Sequence, residues 1–176
     1  MKPLRKMSVW GIIGLLILAS PAFAASFFDE WRYPDESDVL YDWKDFRQEG
    51  REFYTVSEDF NGDGKLDEAW ILIKKDASEW GLFVFLDAKS SDREIIELGR
   101  TEMSDFQPQG MGLALAPPGH HLSACEKGYG SGCEPGERRF VDLKNPAIDF
   151  FVFESANSYF FWNEAIDGFE RIWISD

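Results

Sequence analysis

A mainly β fold, with antiparallel sheets arranged as a sandwich or a rolled sheet and one short helix ahead of them, is predicted by three features of the sequence. From Arg51 onward, short runs of aromatic and β-branched residues alternate with clusters of Gly, Asp, Asn, Ser and Lys, the rhythm of strands and turns. The 7 Trp, 5 Tyr and 16 Phe supply enough apolar area for a real core, despite 28% charged residues. A helical spacing of apolar residues, three and four apart, occurs in one stretch between Asp35 and Gly50.

The elements follow in chain order. Lys2, Arg5 and Lys6 precede an apolar run from Val9 to Leu18, and Pro21-Ala22-Phe23-Ala24 offers a small-x-small cleavage signal. This is the order of a secretory signal peptide over 1–24, and the run is about half the ~20 apolar residues of a spanning helix. An exported mature chain is expected, periplasmic or extracellular, with one β-rich domain over 25–176. Phe27, Phe28, Trp31 and Tyr33 form an apolar arm before Pro34. Asp35 can cap a helix that places Val39, Leu40, Trp43 and Phe46 on one side, with Asp35, Glu36 and Asp38 at its positive end, Arg47 at its negative end and Gly50 as the stop.

A four-stranded meander is predicted over Glu52–Ser57, Ala69–Lys74, Gly81–Leu86 and Glu94–Leu98. The third strand is apolar on both faces and should be central. Residues 99 to 121, rich in Pro and Gly, read as a long connection with one strand at Met111–Ala116. Four further strands are expected at Arg139–Leu143, Ile148–Glu154, Tyr159–Trp162 and Phe169–Ile174, with Asp167-Gly168 as a tight hairpin turn between the last two. Between the two groups, Cys125 and Cys133 enclose a turn with three glycines, Gly128, Gly130 and Gly132. A structural disulfide is the expected use of this pair, since the spacing is not the C-x-x-C of a redox or thiolate metal motif.

One segment carries specific chemistry. In the hairpin over 57–73, Asp59, Asn61, Asp63 and Asp67 put side-chain oxygens at positions 1, 3, 5 and 9 of a loop, and Gly64 stands at position 6, where the chain must turn sharply. Hard oxygen ligands at this spacing suit a calcium ion, with the backbone carbonyl of Lys65 at position 7 adding another. An EF-hand starts this way but needs a bidentate Glu at position 12, which here is Trp70, and it needs flanking helices where this chain has strand composition. A loop joining two strands is therefore expected, with Asp67 as the closing acid. The competing reading is a polar Asn/Asp/Gly turn that binds nothing.

This D-x-N-x-D-G-x-x-D segment resembles the calcium loop of integrin-type (FG-GAP) repeats. That resemblance implies Ca²⁺ held by Asp59, Asn61, Asp63, the Lys65 carbonyl and Asp67; the motif occurs once, so no propeller is implied. Together with Asp59 to Asp67, the segments Trp80-Gly81-Leu82-Phe83-Val84-Phe85, the Cys125-to-Cys133 turn with its Lys127-Gly128-Tyr129, and the ending from Phe153-Glu154-Ser155 through Arg171-Ile172-Trp173-Ile174-Ser175-Asp176 look like a group of uncharacterised secreted bacterial proteins with a single loop of this kind.

Other candidates are weaker. His120 and His121 are adjacent and point to opposite sides of an extended chain, so they do not readily share an ion. Asp149 and Glu154 interrupt an apolar strand; either an ion pair with Arg171 or an edge facing solvent accounts for them. The Tyr159-Phe160-Phe161-Trp162 run reads as core, or as a binding surface if exposed. From position 25 onward there are 15 basic against 32 acidic residues, a net charge of −17, which excludes binders of nucleic acid or anionic membranes and favours a cationic protein partner. The expected function is a non-catalytic, calcium-stabilised binding domain. The alternative is a small secreted hydrolase of cell-wall or sugar substrates using carboxylates or His120.

Overall fold

The computed structural model describes residues 21–38 and 54–176. Helix α1 (Pro21–Glu30) leads into β1 (Trp31–Arg32) and a 3-10 turn at Glu36–Asp38. Strands β2 (Thr55–Glu58), β3 (Asp67–Lys74), β4 (Glu79–Leu86) and β5 (Glu94–Glu102) complete a first sheet. The second contains β6 (Met111–Ala116), β9 (Ala147–Val152), β10 (Asn157–Asn163) and β11 (Gly168–Ser175), in the order β11-β10-β9-β6. A separate ribbon pairs β7 (Gly119–Leu122) with β8 (Phe140–Leu143). All of these pairings are antiparallel.

Side-chain alternation turns these sheets into layers. On β3, Ala69, Ile71 and Ile73 face the same way as Trp80, Leu82 and Val84 of β4, which stand opposite them in the register. They pack against Met111, Leu113, Ile148 and Phe160 of the second sheet. The two sheets are thus stacked as a sandwich, and each fully buried aliphatic side chain in that seam contributes about 1.5–3 kcal/mol. The opposite face of the first sheet, with Leu72, Phe83 and Phe85, is also buried. Phe27 and Phe28 of α1 cover it together with Trp31, the Phe27 ring lying 5.1 Å from Phe83 and Trp31 4.7 Å from Phe83. This double coverage makes β4 apolar on both faces, as expected of a central strand. On the far side of the second sheet, Phe161, Ile172 and Ile174 pack under Val141 and Leu143 of the ribbon.

β3 carries two partners along one edge. β2 pairs its first half, from Glu58 opposite Asp67, and β1 its end, with Trp31 opposite Lys74. Two bulges interrupt the ladders. Leu82 pairs with Gly99 while Phe83 pairs with Glu97, leaving Leu98 as the extra residue of β5; Asn157 pairs with Ser175 while Ser158 pairs with Trp173, leaving Ile174 extra in β11.

Several expectations are adjusted. The described helix is α1, upstream of the predicted one; α1 has no acid in its first turn and no base in its last, so end signals do not announce it, and it takes in part of the apolar arm. Asp35 does bond to a turn, its carboxylate accepting the Ser37 N–H at 2.8 Å, but the turn is 3-10, and Val39, Leu40, Trp43 and Phe46 lie outside the described residues, as do 1–20. Much of the predicted connection is ordered into the end of β5, the turn Pro108–Gly110, β6 and β7. The β10–β11 hairpin closes at Asn163 opposite Gly168, wider than a two-residue turn, with Asp167 taking the positive φ of 50°.

Candidate functional site: the aspartate loop

The loop between β2 and β3 is built around carboxylates that accept backbone N–H groups. Asp59 takes Gly62 at 2.8 Å and Asp63 at 3.1 Å on one oxygen and Gly64 at 2.8 Å on the other. Asn61 accepts Asp63 at 3.0 Å, and Asp63 accepts Lys65 at 2.9 Å. Such a run of N–H donors requires the chain to curl around the acceptor. It does so through Gly62 and Gly64, at φ of 79° and 84°. Gly62 is fixed twice over: a Cβ there would come within 2.7 Å of the Asn145 side-chain amide, which itself donates to the Phe60 carbonyl at 3.3 Å.

Asp67, at the first position of β3, is the floor of the loop and has no exposed surface. One of its oxygens accepts the Phe60 N–H at 3.0 Å, the other the Asp87 N–H at 2.9 Å. Burial raises the Asp67 pKa above the ordinary carboxylate value, the two N–H donors oppose that rise, and the nearby Asp63 charge adds to it. Lys65 caps the cluster from outside: its exposed ammonium lies 3.1 Å from Asp87 and 3.8 Å from Asp63, and these carboxylates hold its pKa up.

In kind, this donor set fits a hard cation, being four side-chain oxygens and a carbonyl on one loop. In arrangement, Asp59, Asp63 and Asp67 do not bring one carboxylate oxygen each within 4.8 Å of one another. The loop stands closed by N–H donors and the Lys65 ammonium. Sequence reasoning located Asp59, Asn61, Asp63, Lys65 and Asp67 on this loop, but missed Asp87 and Asn145. Both sit in turns far along the chain, and their sequence context signals only turns.

The cysteine loop is covalent. The sulfurs of Cys125 and Cys133 are 2.03 Å apart, so neither is available as a thiolate ligand, although Glu137 lies close to both. Lys127 donates to the Ile174 carbonyl at 2.9 Å, and Ala124 donates to Trp173, which fastens this loop along β11.

The two histidines separate as the alternation requires. His120 Nδ1 lies 2.7 Å from Asp142, whereas His121 contacts the Pro117 carbonyl at 2.9 Å and the Tyr159 ring. The adjacent cavity, about 390 Å³, is lined by Arg138, Asp142, Lys144 and Glu164 among others but by neither histidine. Of the two explanations offered for Asp149 and Glu154, the ion pair with Arg171 is not formed among the described residues. Asp149 accepts from Asn157 at 2.9 Å, its pKa raised by burial against that bond; Glu154 sits in a turn at φ 56°, and Arg171 Nε donates to Ser158 at 2.9 Å. In the aromatic run, Phe160 and Phe161 are core residues on opposite faces of β10.

Fold and site together define an antiparallel β-sandwich with a carboxylate-centred loop at one end and a disulfide loop fastened to its last strand. No protein-family model matches the chain, and no curated protein or solved structure gives a significant match.

Proposed function

We propose that the protein is an exported, calcium-stabilised β domain that acts by binding rather than catalysis. The observation that carries this reading is Asp67: a carboxylate with no exposed surface, oriented by two N–H donors, on the same loop as the side-chain oxygens of Asp59, Asn61 and Asp63. Ca²⁺ supplies the divalent charge that such a cluster lacks when Lys65 alone covers it. The chain's own residues do the rest. Asp59 shapes the curl, Asp67 holds the floor against β4, and Lys65 is the competing cation that must leave Asp63 when an ion enters. Millimolar calcium outside a cell is sufficient for sites with Kd of about 10⁻⁴ to 10⁻³ M. Calorimetric titration with CaCl₂ after chelator treatment tests it: a saturable heat lost in Asp63→Ala supports the reading, and a flat titration at millimolar Ca²⁺ removes it.

The disulfide is in keeping with an oxidising compartment. Among the described residues no helix is long and apolar enough to cross a membrane. With a formal net charge of −14 over the whole chain, the complementary partner is a cationic protein. Association with a basic probe such as egg-white lysozyme should be measurable at low salt and abolished at high salt; no association at low salt contradicts this part of the reading.

A further inference from the structure

A cavity opens between the two sheets, at residues distinct from those of the aspartate loop. Its volume is about 290 Å³, and its walls include Trp80, Leu98, Met111, Phe150, Phe160 and Arg171. Leu98 is the bulged residue of β5, and bulges commonly re-aim a side chain toward a site. Arg171 stacks on three rings, its guanidinium carbon 4.0 Å from the centroid of Trp173, 5.2 Å from Phe160 and 5.8 Å from Phe150. That packing fixes the planar head at the apolar wall.

In this acidic chain Arg32, Arg100, Arg138 and Arg139 each hold a carboxylate. Arg93 and Arg171 have none among the described residues: Arg93 donates to the Ala88 carbonyl, and Arg171 donates from Nε to the Ser158 hydroxyl, but only Arg171 stands on the wall of this cavity. Arg171 remains exposed to solvent at the rim of the cavity, and its packing against the rings pulls its pKa below the ordinary arginine value. Arg100, also on the cavity wall, is already engaged by Glu97 and Glu79.

We propose that this cavity binds a small organic carboxylate with an apolar body, the body between Trp80, Leu98 and Met111 and the carboxylate on the Arg171 guanidinium. The volume, about 290 Å³, falls just under the range of drug-sized pockets, about 300 to 1,000 Å³, which restricts the ligand to a short chain or a single ring. A planar guanidinium whose Nη groups donate to no side chain among the described residues matches a carboxylate through paired charge-assisted hydrogen bonds. The site is independent of the aspartate loop, so failure of the calcium reading leaves it intact and its own failure leaves the calcium reading intact.

The test is a titration of the full protein with hydrocinnamate, followed by NMR, with phenylpropylamine as the cationic counterpart. The Trp80 indole N–H, which donates to the Phe106 carbonyl at 2.7 Å, is the internal reporter. Hydrocinnamate is expected to shift the Trp80 indole and Leu98 amide signals saturably, and phenylpropylamine is expected to leave them unmoved. Arg171→Gln should weaken binding by about ten-fold or more. Leu98→Trp, which fills the cavity and leaves Arg171 in place, should abolish it. If Arg171→Gln does not fold, Leu98→Trp and the comparison of acid with amine on the unmodified chain still decide the matter. Equal response to the amine, undiminished binding in Leu98→Trp, or no shift at millimolar hydrocinnamate overturns the proposal.

Discussion

The aspartate loop and the cysteine loop meet the same requirement in two ways. Each is a glycine-bearing excursion that must be held in one shape: Gly62 and Gly64 take positive φ in the first, and Gly128, Gly130 and Gly132 in the second. The cysteine loop is closed by a bond between Cys125 and Cys133, eight positions apart. The aspartate loop is closed by carboxylates, and its central one, Asp67, has no exposed surface. A covalent closure is indifferent to protons and cations and responds to reductant. A carboxylate closure is indifferent to reductant and responds to protons and cations. The comparison predicts that the β2–β3 turn answers to protons and cations and the cysteine loop to reductant.

The sharpest way to break that comparison is Asp67→Ala. It leaves the Phe60 and Asp87 N–H groups buried without an acceptor, at about 1–3 kcal/mol each, partly offset by removal of a buried charge. We expect a net loss of about 2 to 4 kcal/mol in urea unfolding, with the response to dithiothreitol unchanged. Next in size is the Cys125→Ser, Cys133→Ser double variant. Loop-closure entropy for so short a ring sets its cost at about 2 to 3 kcal/mol, and reductant should then have no further effect on its midpoint. The two losses should add in the combined variant, since the loops share no described contact.

Calcium comes third. At a free concentration about ten-fold above Kd, linkage stabilises by about 1.4 kcal/mol, a rise of a few degrees in Tm over the chelated protein. That rise should persist in the cysteine variant and vanish in Asp67→Ala; an identical Tm with and without millimolar Ca²⁺ would leave the aspartate loop a purely hydrogen-bonded turn. The smallest effect is at Asp149. Burial raises its pKa above the ordinary 3.8, so the group favours the folded state most when protonated. Its contribution is fully present below pH 3.8 and is lost as pH rises through the higher folded value. Asp149→Asn should therefore be more stable than the parent at pH 7, and the gap should close on acidification; a gap independent of pH would contradict the assignment.

These loops were also the parts of the site most visible in the sequence, because both are local. The order Asp59, Asn61, Asp63, Asp67 is set within one turn, and so is the approach of Cys125 to Cys133. The strands were legible for a related reason: β4 alternates Leu82, Val84 and Leu86 with Phe83 and Phe85, and this period declares both of its faces. Helix α1 was not legible. It lacks charged end signals, and Phe27 and Phe28 belong there by virtue of a sheet face that a linear pattern does not display. Asn145 and Asp87 were invisible as loop supports because they reach it from distant turns. The cavity at Arg171 depends on residues of both sheets and on a bulge at Leu98, none of which leaves a periodic trace.

The order of strands has a further consequence for how the molecule is made. The described strands of the first sheet come from residues 31 to 102, and those of the second from Met111 onward. A chain emerging from its N-terminus completes the first sheet before any strand of the second exists, and displays Ile71, Leu82 and Val84 to solvent until Ile148 and Phe160 arrive to cover them. In the interval between the two sheets that apolar face is without its cover, and a holding chaperone acting then would need to shelter one sheet face rather than an unfolded chain.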